Sequence, residues 1–429
     1  MKQHQIISMF RISELKIYNI GSFGRLTLEF KRPKELKNKA EIHILTGENG
    51  TGKTTILEIM AALIQPDNFK NIAPKRRSTK EYSLSLVLNK ETIEIAEHPL
   101  NLHKTLGKTS PLVTNRYWKP YDNPNLPFSI AFFAYSGHRR FEHKKIDGVK
   151  EIEAHPFEHA LDFQQSIQSE NILQWIVNNK SKSALAQVDG NIAEADQFRF
   201  NIDKLETTVS EIIQKQIKLS IERNPFKVII IVGGEKLEFN QLPDGLKSII
   251  SWIADLLMRM DRVKWENDTP VFERNFILFL DEIEVHMHPV WQRKILPVVQ
   301  KLFPNAQIFI STHSPFVVGS VDGACIHKLV KPNGDSKLAE GYPILSEDEK
   351  SYEYWLEEVF GIHEKYGLVA QDKYERRREL IRRQELTPSE QDELKQLDEQ
   401  FGTLLPEDSS LGQRIVEHLK KLKNEKAAS

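Results

Sequence analysis

Cysteine is nearly missing from these 429 residues: there is one, Cys325, so no disulfide can form within the chain. That fits a reducing compartment and points to the cytoplasm. An excess of either charge is missing too. Lys plus Arg number 59 and Asp plus Glu 60. No global field draws the chain to nucleic acid, and any such contact has to come from a local patch. Long apolar runs are also absent. The longest, such as FKVIIIVGG and FILFL, have strand length and fall far short of a membrane span. The first ten residues, MKQHQIISMF, carry no signal-peptide apolar core. Repeats at solenoid periods and sustained heptads are lacking as well. What is left is a soluble chain with 40% hydrophobic residues, enough for a sizeable core. Its length suits one large domain with insertions, or two domains.

The runs that are present alternate between strand and helix patterns. FRISELKIYNIGSFGRLTLEF predicts two strands and a turn, and YSLSLVLNKETIEIAEH a hairpin. Residues 99–127 are rich in Pro, Asn and Lys and read as loop. FSIAFFAYSG is a further strand, and residues from Phe157 to Arg223 read as helical. FKVIIIVGGEKLEF reads as a hairpin turning at Gly233-Gly234. FILFLDE and AQIFISTH are apolar runs of the kind buried in a parallel sheet. The last 80 residues read as charged helices, one opened by a capping box at Thr387, Pro388 and Glu390.

One loop carries a specific chemistry. Gly47 to Thr54, GENGTGKT, fits G-x-x-x-x-G-K-[ST] and lies between a strand and a helix. Its glycines let the backbone aim N–H groups at phosphate oxygens, and the helix N-terminus adds a favourable dipole. Asn49, Gly50, Gly52, Thr54 and Thr55 are the nucleotide-binding candidates beside Lys53, which would reach the β- and γ-phosphates. Thr54 would hold Mg²⁺. Hydrolysis needs a second acidic residue for the metal and one to orient water. Asp281 and Glu282, at the end of FILFL, supply both. The same stretch continues ILFLDEIEVHMHP, where Glu284, His286 and His288 fall on alternate positions. On a strand these would share a face, so a transition-metal site is the competing reading.

Two further segments narrow the class. LPDGLKS places Asp244-Gly245 ahead of a helix, and STHSP places His313 beyond the next strand. With GENGTGKT and LDEIEVHMHP, over residues 10–320, the chain resembles the ABC-class ATPases of the SMC, RecF and OLD-like (AAA_21-type) group. The resemblance implies an α/β fold: an ABC-ATPase head, that is a P-loop core with a mixed sheet plus an antiparallel β subdomain. It divides the chain into a lobe with the P-loop (1–150), a helical insertion (151–225), a lobe with signature, Asp-Glu strand and switch histidine (226–330) and a helical C-terminal region (331–429). It also implies two heads closing on two ATP molecules, with possible growth to a higher oligomer. Asp244, Gly245 and Lys247 would then contact the γ-phosphate held by the other head. Glu282 and His313 would be catalytic, with Mg²⁺ on Thr54 and Asp281. Glu284, His286 and His288 would lie in the loop crossing toward the second head, which displaces the transition-metal reading.

Departures from that pattern matter. Pro243 stands where the signature has serine and cannot donate a side-chain hydrogen bond, so weak closure or slow turnover is expected. Leu246 replaces a polar residue, and His138 falls where the Q-loop glutamine belongs. Arg139, Arg140, Lys144 and Lys145, and also Arg76, Arg77 and Lys80, are basic clusters that suit either phosphate backbone or plain solvent. Residues 320–429 hold no D-x-D pair of the kind OLD-type nucleases carry. The resemblance extends to the ATPase subunits of anti-phage systems such as Septu and PARIS, which implies a separately encoded effector, a nuclease. A RecF-like DNA-repair ATPase and a slow nucleotide switch are the alternatives.

Overall fold

Alternating and wholly apolar runs close into three sheets around one core. The computed structural model describes residues 10–402, apart from 35, 37, 76–80, 98–105, 109, 138–145, 147, 225, 348, 349, 365, 384 and 385. Along the chain, β1 (Ile12–Ile20) and β2 (Phe23–Glu29) form a hairpin. Strand β3 (Glu41–Gly47) leads into the helix Lys53–Ile64. After β4 (Tyr82–Leu88), β5 (Glu91–Glu97) and β6 (Leu106–Lys108) comes β7 (Ala131–Tyr135). Two long helices, Ser169–Val188 and Ile192–Ile213, precede β8 (Ile217–Arg223), β9 (Phe226–Val232) and β10 (Glu235–Leu237). The helix Asp244–Asp261 leads to β11 (Phe276–Leu280), the helix Pro289–Leu302 and β12 (Ala306–Ser311). Strand β13 (Cys325–Val330) is followed by β14 (Lys337–Leu338) and β15 (Ile344–Leu345).

The central sheet runs β14-β13-β3-β12-β11-β7, with β15 also on β13. Strands β13, β3, β12, β11 and β7 are parallel, and β14 and β15 are antiparallel to β13. Every residue of β7, β11 and β12 is buried, as expected of strands covered on both faces. Register aligns Tyr135 with Leu280 and Leu280 with Ile310. The carboxyl ends of β3, β7, β11 and β12 therefore meet on one edge, where open parallel sheets place their ligands. An antiparallel sheet, β2-β1-β4-β5-β6, and a three-stranded β10-β9-β8 sheet complete this unit. No helix among the described residues is long and apolar enough to cross a membrane.

Three local readings change. Residues 111–122 are helical, not loop. Ser110 accepts from the Val113 N–H, Pro111 takes the first helical position, and buried Tyr117 packs edge-on to Phe132. The helical stretch ends at Ile213, because the apolar positions of Ile217–Arg223 pair with β9 instead. Beyond residue 330, two short strands precede the helices. Trp252 and Trp355 are buried and Trp291 packs against the core. The described residues divide into two compact units between Phe360 and Gly361. In the second, the helices Leu368–Arg382 and Pro388–Gly402 share a small core of Leu380, Leu397 and Phe401. Thr387 and Glu390 exchange hydrogen bonds as a capping box.

Beneath the functional edge lies a buried polar chain. Gln307 serves Ile12 as a strand would, accepting from its N–H and donating to its carbonyl, and also donates to Glu41. Arg11 pairs with the same carboxylate. His43 Nε2 lies 2.8 Å from Glu41 and His43 Nδ1 3.2 Å from His327 Nε2. One set of neutral tautomers satisfies both: His43 donates to Glu41, and His327 donates to His43. His327 Nδ1 is then a buried acceptor, with no partner among the described residues. Burial pushes both imidazoles below their ordinary value. Burial raises the Glu41 carboxyl, but hydrogen bonds from His43 and Arg11 outweigh it and hold it at about 2.

All three groups bind protons more readily once unfolded, so each loses its stabilising contribution on acidification. The histidines act from about pH 6.5 downward and Glu41 from about 4.5 downward. The thermal midpoint is expected to fall between pH 7 and 5.5. His327→Gln, which keeps a donor but does not titrate, should fall less. An equal fall in both proteins refutes this assignment.

Candidate nucleotide site

The loop after β3 wraps because Gly47, Gly50 and Gly52 all adopt positive φ, at 136°, 79° and 94°. A Cβ at Gly52 would lie 2.4 Å from the Phe23 ring. The β1–β2 turn thus forms the outer wall of the loop, with the Ser22 hydroxyl donating to the Thr51 carbonyl. Lys53 opens the helix and is buried, its Nζ donating to the carbonyls of Gly47 and Glu48 at 2.9 and 3.0 Å. Burial pushes its ammonium below the ordinary value, while Glu282, Asp281 and Glu284 pull it back up. Asn49 and Gly50 are exposed, and Gly52, Thr54 and Thr55 are half-buried around the same loop.

Asp281, just past β11, meets this loop. The Thr54 hydroxyl lies 2.9 and 3.0 Å from its two carboxylate oxygens. Ser311, the last residue of β12, also donates to Asp281 and accepts the Glu282 N–H at 2.9 Å. A hydroxyl beside two convergent carboxylate oxygens is the hard oxygen set that suits Mg²⁺. Glu282 itself holds φ at +44°, a left-handed conformation that costs a non-glycine residue about 1 kcal/mol or more. Gly137, two residues after β7, leaves room for it: a Cβ there would sit 2.7 Å from Glu282 Cβ.

The switch segment is tied to the acidic loop a second time. The His313 N–H donates to Glu284 Oε1 at 2.6 Å. Glu284 Oε2 is buried and makes no well-formed hydrogen bond among the described residues. Burial pushes this carboxyl above its ordinary value, against the His313 N–H and the nearby Thr312 hydroxyl. The half-buried His313 imidazole is pushed below its ordinary value by burial and then by Lys53.

Asp244, Gly245 and Lys247 lie in the first turn of the helix Asp244–Asp261, capped by Pro243. The first N–H groups of a helix have no partner within it, so this turn presents free donors. Asp244 is exposed and pairs with Lys247 at 3.3 Å. Leu246 is apolar for a physical reason: it is buried in the core. Gly245 meets the acidic loop from the other side, since a Cβ there would lie 2.4 Å from the His286 carbonyl.

The structure therefore gathers Lys53, Thr54, Asp281, Glu282 and His313 at one edge. It sets Gly245 against the Asp281–Pro289 loop, with Asp244 and Lys247 in the same helical turn. His286 is exposed at φ +63°, and His288 caps the helix Pro289–Leu302, its Nδ1 accepting from Val290. Glu284 turns toward His313, so these three side chains do not share a face. Among the described residues no three His, Cys, Asp or Glu side chains are placed to hold a metal ion. His138 and the clusters Arg139, Arg140, Lys144, Lys145 and Arg76, Arg77, Lys80 lie outside the described residues. Sequence reading missed Gly137 and Ser311, and gave Glu284 no role at the nucleotide. The STHSP segment did hold a hydroxyl two residues before His313.

Comparison with known proteins bears on this geometry. A family profile described as AAA domain, putative AbiEii toxin, Type IV TA system matches residues 42–319. A Septu protein PtuA from Bacillus thuringiensis is 24% identical over 368 residues, spanning 83% of this chain and 85% of that protein. A retron Vc95 probable ATPase from Vibrio cholerae serotype O1 biovar El Tor is 23% identical over 441 residues, spanning 83% and 82%. Among solved structures, an Smc head bound to the C-winged helix domain of ScpA aligns at TM-score 0.47 with 13% identity. That alignment covers 76% of this chain and 96% of the Smc chain. The family match extends from β3, through the P-loop and the Asp-Glu strand, to beyond His313, well over half of the sequence, and the chain belongs to the AAA_21 family.

Proposed function

We propose that this protein is a cytoplasmic, magnesium-dependent ATPase. It pairs two copies across ATP and controls a separately encoded effector, a nuclease, in anti-phage defence. The observation that carries the ATPase reading is the meeting of Thr54 with both Asp281 oxygens beside the buried Lys53. Lys53 exchanges its two carbonyl contacts for phosphate oxygens, and the loop N–H groups hold the rest of the phosphate chain. Thr54 and Asp281 would hold Mg²⁺, which when bound neutralises charge on the β- and γ-phosphates. Glu282 orients and polarises the attacking water, and His313 contacts the γ-phosphate. The signature turn of the second copy closes the site through the N–H groups of Asp244 and Gly245, with Lys247 alongside. Pro243 offers no side-chain donor there, so closure is weak and turnover slow.

The defence reading rests on relatives named as a Septu protein and a retron ATPase. The test is purification with the product of the adjacent gene, combined with phage plating after deletion. A stable complex and increased plating are expected. No complex and unchanged plating would end the effector-control reading while leaving the ATPase reading standing. ATP-dependent DNA binding by this chain alone, with a steep salt dependence, would favour a repair role.

A further inference from the structure

The loops that follow β11 and β12 are stitched together in both directions. The Glu282 N–H donates to Ser311, and the His313 N–H donates to Glu284. The first tie uses a short neutral hydroxyl. The second uses a carboxylate whose other oxygen is buried without a well-formed hydrogen bond. An apolar residue there would leave the His313 N–H without this acceptor. The position holds an acceptor long enough to reach the His313 N–H across the gap between the two loops. The same loop presses its His286 carbonyl against Gly245, so closely that no side chain fits between them. A continuous run of contacts thus joins the signature turn to the His313 backbone, through residues 284–287 of one chain.

We propose that Glu284 is a positioning residue for hydrolysis. It fixes the His313 backbone to the loop that bears on Gly245, so that docking of the signature turn on a second copy's nucleotide sets His313 in its own site. This rests on the ATPase reading above. Two substitutions separate reach from charge. Glu284→Asp keeps the charge but falls one methylene short of the His313 N–H. Glu284→Gln loses the charge but retains an oxygen that accepts from it.

The full chain is tested for steady-state hydrolysis, for binding of a fluorescent ATP analogue and for thermal midpoint. Glu284→Asp is expected to lower kcat about 10- to 100-fold, the scale of a small misplacement of a reacting group, with analogue affinity within about threefold of the parent. Glu284→Gln is expected to stay within about threefold of the parental kcat. Parental kcat in Glu284→Asp, or equal impairment in both variants, overturns the proposal. The parent is assayed in the same series, and Glu282→Gln is tested there for ATP-dependent pairing. If the parent neither hydrolyses nor its Glu282→Gln variant pairs, the ATPase reading falls and this inference with it. If both behave as expected while Glu284→Asp is unaffected, this inference falls alone.

Discussion

Glu282→Gln is expected to bind ATP as the parent does, to hydrolyse it about 100-fold more slowly or worse, and to accumulate as a paired species. The magnitude is that of removing a general base from a positioned water. Glutamine has the shape of glutamate, so it can take up the same φ of +44° and the same place against Gly137. The Glu282 N–H to Ser311 contact is a backbone contact and survives the change. What disappears is proton acceptance and one negative charge near Lys53. Turnover by a fixed-time phosphate assay and mass by light scattering, with and without ATP, read both effects. Turnover within about threefold of the parent would show that another group activates water.

Lys53→Ala is expected to weaken ATP binding at least 10- to 100-fold, since a charge-assisted hydrogen bond to phosphate contributes about 1.5–3 kcal/mol. Two things are lost together. The ammonium no longer reaches the phosphates, and Asp281, Glu282 and Glu284 face each other without the cation whose charge they share. Repulsion among them opposes an incoming triphosphate further. Titration of a fluorescent ATP analogue reads the affinity, and the thermal midpoint without nucleotide separates lost binding from lost fold. Parental affinity in a folded Lys53→Ala protein would remove the P-loop from the account.

The parts of the site legible in the sequence are those whose chemistry is local. GENGTGKT between a strand and a helix, Asp281-Glu282 ending FILFL, and His313 after AQIFIS each carry their own spacing. FILFL and AQIFIS fell in the parallel sheet, where strands are covered on both faces and can lack a polar side. Ser311 and Glu284 act across gaps of 30 and 29 residues, and Gly137, two residues past the neighbouring strand β7, lies 145 positions from Glu282, where no local pattern reports the contact. The 111–122 helix shows a different failure. Ser110-Pro111 is a helix start by rule, yet the surrounding Pro, Asn and Lys outweighed it. In Ile217–Arg223, charged residues between apolar ones hid a strand that pairing with β9 makes plain.

The order of strands also sets a timetable. Strand β3, which ends in the P-loop, is flanked by β12 and β13, and no earlier strand borders it. At a synthesis rate of roughly 5–20 residues per second, on the order of ten seconds or more pass between the emergence of Gly47 and that of Val330. For that interval a nascent chain carries an apolar strand with both edges bare. The edge that gathers Lys53, Asp281, Glu282 and His313 cannot assemble until β11, β12 and the residues just past them have followed β3 out of the ribosome.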